Sequence, residues 1–203
     1  MLALWCAAAG MSIAYLAVPT FATCLEPVRL FQQAHGWLAA GAGRIVFCGL
    51  IPGVFLALVP ALRPRRLLAT LTAQVVWCAF WGIVCDAVFR LQNAFVGADH
   101  ALDTVLVKTA IDQFVFTPLV IAPANAVFFF YLARDFSLTR VRAEWPHRFW
   151  RDLVAPNLVA NWCVWIPVQA AVFLFPVDLQ IHVNGLVCSF WMLLCLQIGR
   201  TSK

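Results

Sequence analysis

The sequence predicts an all-α fold: a polytopic transmembrane bundle of about six helices, four being the alternative count, with a short interfacial helix. Three observations lead there. Apolar residues make up 64% of the chain and charged residues 11%, with a mean hydropathy of +0.88. Soluble domains run at roughly 45 to 50% apolar and about 25% charged. The apolar residues fall in runs of about 20, the length a helix needs to cross the hydrocarbon layer, and the cations gather mostly between those runs. At 203 residues there is room for such a bundle and little else, so 1–203 reads as a single integral membrane domain.

The first segment spans about Leu2 to Thr23. It lacks the positive leader of a secretory signal, since the first cation is Arg29, and is read as a retained helix. A polar stretch with Glu26, Arg29, Gln32, Gln33 and His35 separates it from segment two, about Trp37 to Leu62. Arg44, Pro52 and several glycines weaken that second segment, which is where the four-helix alternative originates. Pro60 and Pro64 close it around a basic turn of Arg63, Arg65 and Arg66. Segment three covers about Leu67 to Phe89, and a loop through Gly97, Asp99, His100 and Asp103 leads to segment four, about Val105 to Ala133. Arg134 to Asp152 mixes aromatics with arginines, a composition suited to the headgroup layer, and is expected to hold a surface helix with Pro146 in its first turn. Segments five (about Leu153 to Phe175) and six (about Leu179 to Ile198) join around Pro176 and Asp178.

Cytoplasmic loops of multi-spanning proteins are enriched in Lys and Arg. With six alternating crossings, one face collects Arg63, Arg65, Arg66, Arg134, Arg140, Arg142, Arg148, Arg151, Arg200 and Lys203, and the other only Arg29, Arg90 and Lys108. Both termini then lie on the positive, cytoplasmic or matrix-like side. The net charge of +5 is thus explained by topology, and no nucleic-acid partner is expected. The eight cysteines form no C-x-x-C pair and read as small packing residues; no metal site is expected.

Polar side chains inside apolar runs are expensive and face partners, the bundle interior or water. Lys108 and Asp112 are four apart and predict mutual neutralisation on one helical face, with Gln113 beside them. Asp86 and Arg90 predict an ion pair of the same spacing. Asn157, Asn161, Trp165 and Gln169 recur every fourth residue, an amide stripe that must face helices or water. Pro118, Pro123, Pro156 and Pro167 each free a backbone carbonyl that a neighbour must satisfy. Neither a metalloprotease, a nucleophile-elbow nor a phosphate-loop motif is present, so no enzyme is expected.

Lys108-x-x-x-Asp112-Gln113-x-x-x-x-Pro118 and Asn161-Trp162-x-Val164-Trp165-x-Pro167-x-Gln169 resemble the two signatures of the Mpv-seventeen and twenty-two-kilodalton peroxisomal membrane protein family, with Pro176 and Trp191 in comparable later positions. The resemblance covers 77–203, leaving 1–76 as divergent amino-terminal helices. Gln180 stands where the family carries an arginine. The resemblance implies a helical bundle in a mitochondrial inner, peroxisomal or bacterial inner membrane, with some members forming weakly selective channels for small solutes, and no cofactor.

The function expected is a weakly selective channel for small hydrophilic solutes, with Lys108, Asp112, Gln113, Asn157, Asn161 and Gln169 lining or gating it. Pro118, Trp162, Trp165, Pro167, Pro176 and Trp191 form its structural motif. The expected partners are the lipid bilayer and the solutes, with a homo-oligomer left open. The alternative is a non-transporting structural or assembly factor of the membrane.

Overall fold

A computed structural model describes residues 2–60 and 63–201; Met1, Leu62 at the expected end of segment two, and Lys203 lie outside the described residues. Every regular element among them is helical. We number them α1 (Leu2–Ala17), α2 (Pro19–His35), α3 (Trp37–Leu58), α4 (Leu67–Phe95), α5 (Leu102–Leu132), α6 (Leu138–Ala143), α7 (Trp150–Val154 running into Ala155–Val172) and α8 (Val177–Thr201). Three of these, α3, α4 and α5, are long and apolar enough to cross a membrane, and α1 with α2 makes a fourth if that bent pair is one span.

The first expected segment does not run straight through to Thr23. Val18 is extended, Pro19 opens a new helix, and the chain bends by 101° between α1 and α2. Proline is well placed at a first helical turn but cannot continue a preceding one. The polar stretch that follows is helical to His35, and Gly36, at φ 52°, turns the chain into α3. In the second half, Pro146 lies beyond the end of α6, not in its first turn; that turn is capped by Ser137 Oγ, which accepts from the Arg140 amide.

The consecutive rods α3, α4 and α5 alternate in direction, while α3 runs parallel to α8, with Arg44 at Asn184 and Phe47 at Ser189. Along α4 and α5, Asn93 faces Lys108, Trp81 faces Phe116 and Trp77 faces Asn125, an antiparallel register that carries the start of α4 to the end of α5. Arg63, Arg65 and Arg66 therefore share one end of the bundle with Arg134, and Arg90 shares the opposite end with Lys108. α3 lies antiparallel to α4 at very close range: a Cβ on Gly82 would sit 2.6 Å from the Ala40 carbonyl oxygen and 2.7 Å from Arg44 Cγ. α1 packs along α7, where Ser12 Oγ donates to the Ala171 carbonyl at 3.0 Å and Leu4 and Ala8 join Val164, Val168 and Val172 in one core cluster.

Three stretches are wound wider than an α-helix: Ile45–Leu50 in α3, Asp112–Ile121 in α5 and Trp150–Val154 in α7. Each ends just before a proline: Pro52, Pro123 and Pro156. The amides that close them reach back five residues, from Ile51 to Val46, Ala122 to Thr117 and Ala155 to Trp150. Such wide turns cluster at functional sites, and two of them form walls of the interior described next.

Candidate functional site: a polar cavity inside the bundle

A cavity of about 150 Å³ lies among α3, α4, α5, α7 and α8. Arg44, Asp112, Gln113, Asn161, Gln169 and Asn184 supply its polar wall; Trp81, Phe89, Ile121 and Trp165 are among its apolar lining. The space exceeds what one water needs. It suits several waters or one small solute.

Arg44 is the central cation, 8% exposed. One of its terminal nitrogens donates to Asn184 Oδ1 and the other to Cys48 Sγ at 3.3 Å, while Nε has no partner. Among the described residues no carboxylate lies within ion-pair distance of it. Asn184 Nδ2 in turn donates to Gln169 Oε1 at 2.9 Å, so α3, α7 and α8 are stitched through one amide. On the facing wall Asp112, 4% exposed, accepts from Gln113 Nε2 at 2.7 Å. Asn161 Nδ2 reaches Gln113 Oε1 at 3.4 Å. A buried cation and a buried carboxylate thus border the same void without neutralising each other directly. Uncompensated charges of this kind are costly unless polar matter fills the gap.

Pro118 explains how Trp162, outside the cavity lining, braces this wall. In a wide turn the amide at 118 would serve the carbonyl of residue 113, and proline has no amide hydrogen. Trp162 Nε1 donates to the Gln113 carbonyl instead, at 2.8 Å, tying α7 to α5 at the break.

Four expected site residues therefore meet: Asp112, Gln113, Asn161 and Gln169. Two do not. Asn157 is exposed and donates to the Leu153 carbonyl of its own helix at 2.8 Å, so the amide stripe of α7 begins one turn later than its spacing suggested. Lys108 is buried away from the cavity and does not pair with Asp112: Nζ donates to Asn93 Oδ1 at 2.8 Å and lies 5.9 Å from the Phe173 ring centre. Lys108 and Asp112 are one ordinary α turn apart, the Asp112 amide bonding the Lys108 carbonyl, but each side chain takes another partner, Asn93 on α4 for the lysine and Gln113 for the aspartate.

Lys108 belongs to a second polar cluster at the opposite end from the arginine turn. Arg90 donates to Asp86 and to Asp178, each at 2.9 Å, which gives the expected Asp86–Arg90 pair a third member on α8. Gln33 Nε2 donates to Asp178 at 2.8 Å, and Gln32 Nε2 to Asp86 at 3.2 Å. Gln180 joins through Asn93 at 3.4 Å and the Phe175 carbonyl at 2.8 Å. Pro176 accepts the Leu179 amide at 2.8 Å where α8 begins. This cluster latches α2, α4, α5 and α8 together.

Sequence reading missed Arg44 and Asn184. A lone arginine amid an apolar run was the available signal for the first; Asn184 carried none beyond being an amide in such a run. It also took the cysteines as plain packing, whereas Cys48, Cys78, Cys85 and Cys188 line the cavity as free thiols. Among the described residues no group of His, Cys, Asp and Glu side chains is arranged to hold a metal ion.

The chain is 29% identical over 115 residues to an uncharacterized protein of Schizosaccharomyces pombe, an alignment covering 55% of this chain and 44% of the yeast protein. It therefore matches less than half the length of that relative. No family profile matches the chain, and no solved structure does.

Proposed function

We propose that the protein is a multi-pass membrane channel for small hydrophilic solutes, related to the family its two motifs resemble, with the α3–α4–α5–α7–α8 cavity as the narrow part of its path. The reading rests on one observation: six polar side chains from four helices converge on one cavity within the bundle, among them a buried arginine and a buried aspartate with no ion pair to each other. Residues of this kind inside an apolar bundle mark solute paths. The six rods α1, α3, α4, α5, α7 and α8 are taken as the crossings, with α2 lying across the end of the bundle. Both termini then sit at the arginine-rich end, on the cytoplasmic or matrix side. Catalysis is not part of this reading.

Glycerol and chloride efflux from proteoliposomes containing the purified chain is the test. Flux well above empty vesicles, altered at least severalfold by Asp112→Asn or Asn161→Leu, is the expected result. Flux equal to empty vesicles overturns the proposal.

A second reading, a structural or assembly factor without transport, is favoured by the Asp86–Arg90–Asp178 latch and by Lys108, whose polar groups are used up in joining helices. It predicts that Asp178→Ala and Lys108→Met change stability or subunit number, in a protein that carries no flux.

A further inference from the structure

A shallow, open groove of about 660 Å³ runs along the outer face of the first turns of α4, lined by Leu68, Ala69, Thr72, Ala73, Val76 and Trp77 and bounded on the α5 side by Phe128. Small side chains make the trough, and the stacked rings of Trp77 and Phe128, 4.2 Å apart, close its far end. From Leu68 to Trp77 the helix rises about 13 Å, close to the roughly 15 Å of hydrocarbon in one leaflet. The trough is about as long as one acyl chain.

Its mouth is cationic. Arg63, Arg65 and Arg66 stand exposed where α4 begins, and the sequence holds no Asp or Glu between Glu26 and Asp86. Across the same end, Asp135 and Glu144 are occupied by Arg140 and Arg134. Among the described residues no carboxylate pairs with the three arginines of the turn. We propose that this groove is a binding site for an anionic phospholipid, one acyl chain lying in the trough and the phosphate held by Arg65 and Arg66. A zwitterionic lipid fills the same trough, but its choline repels the arginines; negative headgroup charge is what the mouth selects. The proposal rests on residence in a bilayer and not on solute passage.

The test is native mass spectrometry of the full chain in detergent, titrated with dioleoyl-phosphatidylglycerol and, separately, dioleoyl-phosphatidylcholine. The expected preference for the glycerol lipid is roughly thirtyfold, from about fivefold per arginine. R65Q/R66Q removes the preference while leaving phosphatidylcholine binding unchanged, and raised salt erodes it in the wild type. A73F, which fills the trough, weakens both lipids together. Equal affinity for the two lipids, a preference that survives R65Q/R66Q, or A73F changing subunit number instead of lipid binding would each overturn the proposal. Glycerol flux from proteoliposomes made with the same protein separates the two readings: flux no greater than from empty vesicles, with lipid preference intact, sinks the channel alone.

Discussion

Trp162→Phe tests the claim that an indole replaces the amide that Pro118 lacks. The change removes the donor at 2.8 Å from the Gln113 carbonyl but keeps a ring against Phe114, whose centre lies 5.5 Å away. An interhelical hydrogen bond within membranes averages about 0.6 kcal/mol and reaches about 1.7, whereas stranding a buried acceptor costs about 1 to 3 kcal/mol. The second applies here, because at the proline no local amide can take over, so a loss of about 1 to 2 kcal/mol is expected. Pro118→Ala restores that amide. In the Pro118→Ala background Trp162→Phe should therefore cost about 1 kcal/mol less, a coupling that a double-mutant cycle resolves. Reversible unfolding in mixed detergent and dodecyl sulfate micelles supplies the four stabilities. If Trp162→Phe costs the same in both backgrounds, the substitution of indole for amide is wrong, and Trp162 acts through packing.

The remaining predictions concern the interior, the helix contacts and one loop. Asn184→Ala strands Arg44 and Gln169 together and should destabilise by about 2 to 4 kcal/mol, the sum of one charge-assisted and one neutral hydrogen bond; a loss below about 0.5 kcal/mol in the same micelle assay contradicts the stitching role. Gly82→Ala should cost about 1 to 3 kcal/mol because its Cβ meets the Ala40 backbone. Gly10→Ala, in open space on α1, should gain about 0.5 to 1 kcal/mol. Asn157→Ala should leave stability and flux within error, since that amide serves only its own helix. In the α4–α5 loop, Asp99 has its carboxyl held below the ordinary 3.8 by the Thr104 hydroxyl and then by the Ala101 amide. That tie stabilises the loop above about pH 4 and is lost as pH falls through the lowered value, so the protection of the Ala101 amide, measured relative to its intrinsic exchange rate, should fall at low pH, and Asp99→Asn should flatten the response.

Composition and run length carried the helical class, because burying apolar helices in hydrocarbon demands a hydropathy that soluble chains do not reach. The motif half of the site was legible for a related reason: an amide or a carboxylate in an apolar run must find company, so Asp112, Gln113, Asn161 and Gln169 were predictably interior. Periodicity failed where a nearer partner was on offer. A period of 3.6 put Lys108 with Asp112 and extended the α7 stripe to Asn157, yet Lys108 takes Asn93 across the α4–α5 contact and Asn157 bonds the Leu153 carbonyl of its own helix. Arg44 was read as a flaw in a spanning segment because a lone charge says nothing of its partner; Asn184, its partner, lies 140 residues away. The break at Val18 was signalled by Pro19, but apolar content on both sides hid it.

The three loosely wound stretches have a bearing on how this chain tolerates insertions and deletions. A turn that reaches back five residues holds one more residue than an ordinary one, so excising a single residue from Asp112–Ile121 would let the helix tighten instead of breaking. Everything beyond the excision would then keep its angular place on the axis, with Asn125 still on Trp77 and Ala126 still on Val154. The same excision from an ordinary turn would swing all that follows by about 100°, so the wide stretch is where α5 can lose a residue without being re-aimed against its neighbours.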